Sequence, residues 1–354
     1  MPRRSFFIRE SELSDDQRQV INRRSDNSFI VKGCAGSGKS ILALWKAKQI
    51  QDEDKGTFLF VVFTKALKQY MSDGVSQIGI HANCIENYNQ CFYWKQDPET
   101  KKWVQGDWKK GSYDYLIVDE AQDFSQEDIL MFKSKARKAL LLYGDSAQQL
   151  YNFIPGKTTI SMDDMVYITK FPTEQLVFNH RLPKKVARVA EFINSESDVL
   201  ERRCQNEGTE LPKIFEYRTF EEQLDAIIQI IKNRNFEDVG ILFRHNRDVE
   251  RATAYFKAHG LPNVEAKINE SIDLNFKSDN PKIMTYHSAK GLQFEAVFIP
   301  ECTCSDNDDR NPLYVAITRT YQTLYIMHSG NLSSFFDDVP RHLYETSTAQ
   351  TDEL

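Results

Sequence analysis

The sequence has no long hydrophobic run, no cysteine framework and no strong excess of charge of either sign. No apolar stretch approaches the roughly 18 residues of a membrane-spanning helix. The opening MPRRSFFIRESELSDD turns acidic where a signal peptide would carry an apolar core. The expectation is therefore a cytoplasmic protein with no membrane partner. The closing TDEL, which resembles an ER-retention signal, reads as part of an acidic tail in that setting. The six cysteines, Cys34, Cys84, Cys91, Cys204, Cys302 and Cys304, form no paired CxxC units, which argues against a zinc site and for reduced thiols. A formal net charge of −6, from 45 basic and 51 acidic residues, excludes a chain that coats nucleic acid over its whole surface. Any such contact must be a local groove. No low-complexity linker or fixed repeat interrupts the chain.

Short apolar runs rich in Val, Ile, Phe and Leu alternate with amphipathic stretches. SFIVKG, FLFVVF, YLIVDE, ALLLYG and QLVF occur in the first half, and KIFEY, VGILFR, KIMTYH, AVFIPE and TLYIMH in the second. Continuous apolar runs are the mark of parallel strands buried on both faces. Helices are predicted over Phe220–Arg234 and from Asn246 to a terminating Gly260. At 354 residues the chain exceeds what one core supports, so two successive α/β domains are expected, 1–175 and 176–342, followed by a tail, 343–354.

The sharpest motif is GCAGSGKS, Gly33 to Ser40, placed between an apolar strand and a helical run. In G-x-x-x-x-G-K-[ST] the backbone N–H groups around Gly33, Ala35, Gly36, Ser37 and Gly38 wrap phosphates at a helix N-terminus. Lys39 reaches the β- and γ-phosphates, and the Ser40 hydroxyl ligates Mg²⁺. A second run, YLIVDEAQDF, Tyr115 to Phe124, ends a strand with adjacent carboxylates. Asp119 is expected to hold Mg²⁺ and Glu120 to orient or deprotonate the attacking water.

With the segments that follow, these motifs resemble the superfamily 1 helicases of the UvrD/Rep/PcrA-like branch over nearly the whole chain. The resemblance implies an α/β fold of two RecA-like P-loop domains with parallel sheets. LSDDQRQVI (Leu13–Ile21) is similar to the adenine-reading motif and implies that Gln17 contacts the base. VFTKALKQYM (Val62–Met71) implies that Phe63 and Thr64 line a strand groove. LLYGDSAQQLYNF (Leu141–Phe153) implies that Gln148 senses the γ-phosphate, with Tyr151 and Phe153 toward the bases. Phe153 stands where the family usually has Trp. LVFNHRLP (Leu176–Pro183) places Arg181 at the γ-phosphate and His180 where the family has an adenine-stacking Tyr. KIMTYHSAKGLQFEAVFI (Lys282–Ile299) implies strand contact by Thr285 and His287, with Gln293 replacing a ribose-touching Glu. PLYVAITRTYQTLYI (Pro312–Ile326) implies that Arg319 is an arginine finger. The implied activity is ATP-dependent translocation on single-stranded DNA or RNA, 3′ to 5′, with ATP and Mg²⁺ as cofactors. The implied ATP site is a cleft between the two domains.

The large accessory subdomains of longer members have no room here. About 40 residues separate the strand-groove motif from YLIVDE, and about 35 separate VGILFRHNR from KIMTYH. The short insertion Glu86–Gly111 interleaves Trp94, Trp103 and Trp108 with Lys101, Lys102, Lys109 and Lys110. It fits a stacking, phosphate-contacting flap. It fits equally a β-hairpin with packed aromatics and solvated lysines. A core this compact is expected to need a protein partner, such as a nuclease or another subunit, for duplex handling. The rival reading is a P-loop switch that gates a protein partner without moving on a strand.

Overall fold

In the computed structural model the described residues are 12–34, 36–75, 78–145, 158–194, 199–268 and 274–348. The chain divides into two compact units. One holds Ser5–Gly33 together with Gly38–Val177. The other holds Phe178 onward together with the loop Cys34–Ser37.

The first unit contains strands β1 (Phe29–Gly33), β2 (Phe58–Val62), β3 (Ile85–Asn87), β4 (Phe92–Gln96), β5 (Trp103–Trp108), β6 (Tyr113–Val118), β7 (Ala136–Gly144) and β8 (Thr173–Leu176). Its helices are α1 (Asp15–Asn22), α2 (Lys39–Asp52), α3 (Lys65–Val75), α4 (Gln126–Lys135) and α5 (Met162–Thr169). The main sheet runs β3-β2-β6-β7-β1-β8, parallel throughout. Its central strands carry continuous apolar runs, Phe29–Val31, Phe58–Val62, Tyr115–Val118 and Ala139–Tyr143, because both faces are covered there. Phe29 and Val31 join Phe60, Val62, Ile117 and Tyr143 in one core. Ile30 between them joins Val61, Leu116, Val118 and Leu142 in another. Such alternation within a continuous apolar run is what a sheet wound on both sides requires.

The second unit carries β9 (Asn179–Pro183) paired with β10 (Cys204–Asn206). Its main strands are β11 (Lys213–Tyr217), β12 (Val239–Phe243), β13 (Glu265–Ala266), β14 (Lys282–Thr285), β15 (Phe294–Ile299), β16 (Thr320–Ser329) and β17 (Glu345–Thr348). Its helices are α6 (Lys184–Ile193), α7 (Leu200–Arg203), α8 (Phe220–Arg234), α9 (Asn246–His259) and α10 (Asn307–Ile317). The sheet order is β13-β14-β12-β15-β16-β11-β17, again parallel. The expected α/β fold with parallel sheets is present in both units. α8 spans the residues expected of it. It is capped by Thr219, whose hydroxyl accepts the Glu222 N–H, and it buries Leu224, Ile227, Ile228 and Ile231.

Two local expectations differ from the structure. The run QLVF was read as a strand, but β8 ends at Leu176, and Val177 and Phe178 beyond it are exposed. The segment from 343, read as a tail, buries Leu343 and Tyr344 and then pairs with β11 through Glu345–Thr348. An edge strand of four residues is held by backbone pairing, which needs little apolar sequence and so leaves a weak signature.

Gly240, in the middle of β12, shows how tightly the second sheet is covered. A Cβ built there would strike the ring of Phe294 on neighbouring β15. Gly240→Ala should destabilise the protein by about 1 to 3 kcal/mol through overpacking, seen as a lower denaturation midpoint. Adding Phe294→Leu should recover part of the loss. An unchanged midpoint in the single variant would contradict this packing.

Candidate nucleotide site

The first unit gathers its reactive side chains at the carboxyl ends of parallel strands, where open α/β sheets place ligands. β1 ends at Gly33, and α2 begins at Lys39. The connecting glycines supply conformations that other residues resist, φ +72° at Gly36 and +91° at Gly38, the N-cap of α2. The first turn of α2 thus directs its backbone N–H groups and its positive dipole end toward the loop, an arrangement suited to an anion. Lys39 is buried, donates to the Gly33 carbonyl at 2.8 Å and lies 3.8 Å from Asp145.

Asp119 follows β6 directly and is fully buried. Its carboxylate accepts the Glu120 N–H at 3.0 Å and a hydrogen bond from the Ser40 hydroxyl, while Oδ2 has no hydrogen-bond partner. Burial, and next the adjacent Glu120 carboxylate, raise its pKa well above the ordinary aspartate value. A desolvated carboxylate with an unsatisfied oxygen, a serine hydroxyl and a second carboxylate beside it is a donor set that fits a hard divalent cation. Ser40 and Asp119 would hold that ion.

Glu120 adopts the left-handed conformation, φ +52°, which is uncommon for a non-glycine residue and is found at functional sites. Its carboxylate accepts from Gln122 Nε2 at 2.6 Å, and Gln122 Oε1 accepts the Asp145 N–H at 2.9 Å. Gln122 therefore joins the ends of β6 and β7. Gln17 lies beside the same loop. It is buried on α1, its Oε1 accepts the Ser14 N–H at 3.1 Å, and its Nε2 lies 2.8 Å from where a Cβ of Gly38 would sit. Ala35, Gln148, Tyr151 and Phe153 lie outside the described residues.

Comparison with known proteins follows the same division. Residues 12–171 match an AAA domain family, and residues 282–327 match the UvrD-like helicase C-terminal domain. A probable DNA helicase of Mycoplasma pneumoniae is 26% identical over 63% of this chain and 45% of its own length. The ATP-dependent DNA helicase PcrA of Staphylococcus aureus is 22% identical over 67% of this chain and 35% of its own. These matches make the chain similar to the UvrD/PcrA-like superfamily 1 helicases. It spans less than half the length of these curated relatives. The solved arterivirus nonstructural protein 10 (helicase) aligns over 88% of this chain and 61% of its own at 17% identity, with a TM-score of 0.44, too low to add to the assignment.

In this UvrD/PcrA-like chain the remaining family positions have definite local surroundings. In the second unit, Arg181 and His180 are half-buried on β9, and the Arg181 N–H donates to Asn179 Oδ1 at 2.9 Å. Arg319 is buried after α10. Its Nε donates to the Val315 carbonyl at 2.8 Å and its Nη2 to the Thr318 hydroxyl at 3.0 Å. Gln293 is half-buried before β15. Thr285 ends β14, with its hydroxyl bonded to Ser288, and His287 is exposed on the following turn. In the first unit, Phe63 stacks on Tyr88 at 6.2 Å and meets Phe124 edge-on at 5.3 Å, and the Thr64 hydroxyl accepts the Leu67 N–H at the start of α3. Both residues thus already have structural tasks.

The 86–111 insertion is an antiparallel hairpin, β4 with β5. The two readings of it divide along its length. Phe92 and Trp108 pack against each other and, with Tyr88 and Phe132, on the domain. Lys110 is paired with Glu86. Tyr93 and Trp103, 58% and 67% exposed, stand in solvent with Lys95, Lys101 and Lys102.

Gln122 and Asp145 were not singled out from the sequence. Asp145 carried a usable signal, since YGD repeats at the end of β7 the strand-then-acid pattern of YLIVDE at the end of β6.

The buried Asp119 makes a test of this geometry. Its folded pKa is raised, so its charge costs stability above the unfolded-state pKa, increasingly until the folded pKa is passed, and costs nothing in acid. Asp119→Asn should therefore raise the midpoint of the nucleotide-free protein at pH 8 by a few degrees, and less as the pH falls toward 4. It should also remove the Mg²⁺-dependent part of any stabilisation by nucleotide. A lower midpoint at pH 8 would contradict the assignment.

Proposed function

We propose that this chain is an ATP-driven translocase on single-stranded nucleic acid, with DNA the substrate, as its similarity to DNA helicases suggests, and 3′ to 5′ the direction of movement. The observation that carries the proposal is the convergence of Lys39, Ser40, Asp119 and Glu120 at adjoining strand ends. Lys39 leaves the Gly33 carbonyl for the β- and γ-phosphates. Ser40 and Asp119 would hold Mg²⁺, which would supply charge neutralisation at the phosphate oxygens. Glu120 takes the proton of the attacking water as the new bond to the γ-phosphorus forms and the bond to the β-phosphate oxygen breaks. Arg181 and Arg319 supply further positive charge, Gln148 senses the γ-phosphate, and Gln17, His180 and Gln293 hold the base and sugar. Thr285 and His287, with Tyr151 and Phe153, contact the strand, helped by exposed Trp103 and Tyr93 on the hairpin. A protein partner supplies the grip on duplex.

The rival, a nucleotide switch without strand movement, draws support from Phe63 and Thr64, which are engaged in packing and capping. ATP hydrolysis measured with and without single-stranded and double-stranded DNA and RNA separates the two. Single strands should stimulate a translocase many-fold, and a switch would respond to none of these polymers.

Lys39→Ala should abolish hydrolysis and weaken ATP binding, whereas Glu120→Gln should keep ATP bound and slow turnover by orders of magnitude. Arg319→Lys should fail nearly as badly as Arg319→Ala, because an ammonium does not reproduce the planar fork of guanidinium. Full turnover in Glu120→Gln or Arg319→Lys would remove that residue from the chemistry.

A further inference from the structure

Among the described residues of the first unit, Lys46 is the largest charged side chain sealed inside, outside the nucleotide-site group. It lies on α2 two turns beyond Lys39, is 1% exposed, and is surrounded by the α1 and α2 layer. Burial first, and next the field of Lys55, push its pKa down to about 8, so the charged form is held at a cost. What holds it is specific. Its ammonium has three protons and donates to three acceptors, the carbonyls of Ile21 and Arg23 and the side-chain oxygen of Gln49.

Ile21 and Arg23 close α1. A helix leaves its last carbonyls without intrahelical partners. Here the Arg23 N–H serves Gln19 and Val20, and Lys46 serves the next available carbonyls from outside, with a cation at the negative end of the helix dipole. At eight residues, α1 is too short to hold its shape alone. Asp16 and Arg23 tie it to the β8 end of the sheet, through the Val177 N–H and Glu174. Lys46 instead ties it to α2, the helix that starts at Lys39 and Ser40. At the other end of α1, Gln17 lies against Gly38, the N-cap of that same α2.

We infer that Lys46 is a positioning residue for base recognition, fixing α1 on the phosphate-loop helix so that Gln17 meets the nucleobase in register with the phosphates. The inference rests on the proposed reading of Gln17 as the base-contacting residue. It explains why an ammonium sits where an aliphatic chain would pack without desolvation cost: only a multiple donor satisfies two backbone carbonyls on one helix and a side chain on the other.

The test is nucleotide selectivity, which a purely structural loss of stability leaves untouched. Equilibrium titrations with fluorescent ATP and GTP analogues, run well below the denaturation midpoint of each variant, should show Gln17→Ala losing its preference for ATP. Lys46→Met should lose about fivefold of the same preference, roughly the worth of one hydrogen bond, and the double variant should be no worse than Gln17→Ala. Lys46→Gln, which keeps a donor and fills the space, serves if Lys46→Met does not fold, and should fall between wild type and Gln17→Ala. Preference lost in Gln17→Ala but intact in both Lys46 variants would overturn the positioning role and leave the reading of Gln17 standing. Preference intact in Gln17→Ala would overturn both.

Discussion

The first unit depends on one constraint, that the ends of β1, β7 and β6 lie side by side and point the same way. Parallel pairing puts Gly33, Asp145 and Asp119 at a common edge. The two-sided burial that makes those strands apolar extends to the edge, where Lys39, Asp119, Glu120 and Asp145 are all buried. Charges placed there interact strongly and have few competing solvent partners. Lys39 beside Asp145, the Ser40 hydroxyl at Asp119 and the Gln122 bridge are all local consequences of that alignment.

The same edge is where the chain accepts unfavourable terms. Asp119 is buried with an unsatisfied oxygen, and Glu120 adopts a backbone conformation that glycine would occupy more readily. Neither feature stabilises the fold. Both are explained if a cation and a phosphate chain complete the site, since the missing positive charge and the missing ligands are then supplied together. Lys46 is a different case, a buried charge whose three acceptors are all present.

Much of this was legible in the sequence, and for identifiable reasons. Gly33–Ser40 and Tyr115–Phe124 combine a composition rule with a strand context, so string and structure point to one place. The continuous apolar runs reported both the parallel sheets and their burial. Other features left no mark. β17 is held by its backbone, so Glu345–Thr348 looked like tail. Phe63 became part of an aromatic cluster because Tyr88 and Phe124, distant in sequence, come to it through the sheet. Gln122 and Lys46 act through partners two to twenty-five residues away, and no local pattern distinguishes them from an ordinary loop amide and a solvated helix lysine. The hairpin divided between two readings because its base is packed and its tip is not.

Movement on a strand is the central claim, and stopped-flow fluorescence tests it most directly. With a fluorophore at the 5′ end of single-stranded DNA of increasing length and a trap for released protein, ATP should produce a signal whose time to peak grows linearly with length. The same fluorophore at the 3′ end should show no such growth. A time course independent of length at both ends, in protein that hydrolyses ATP, would contradict translocation.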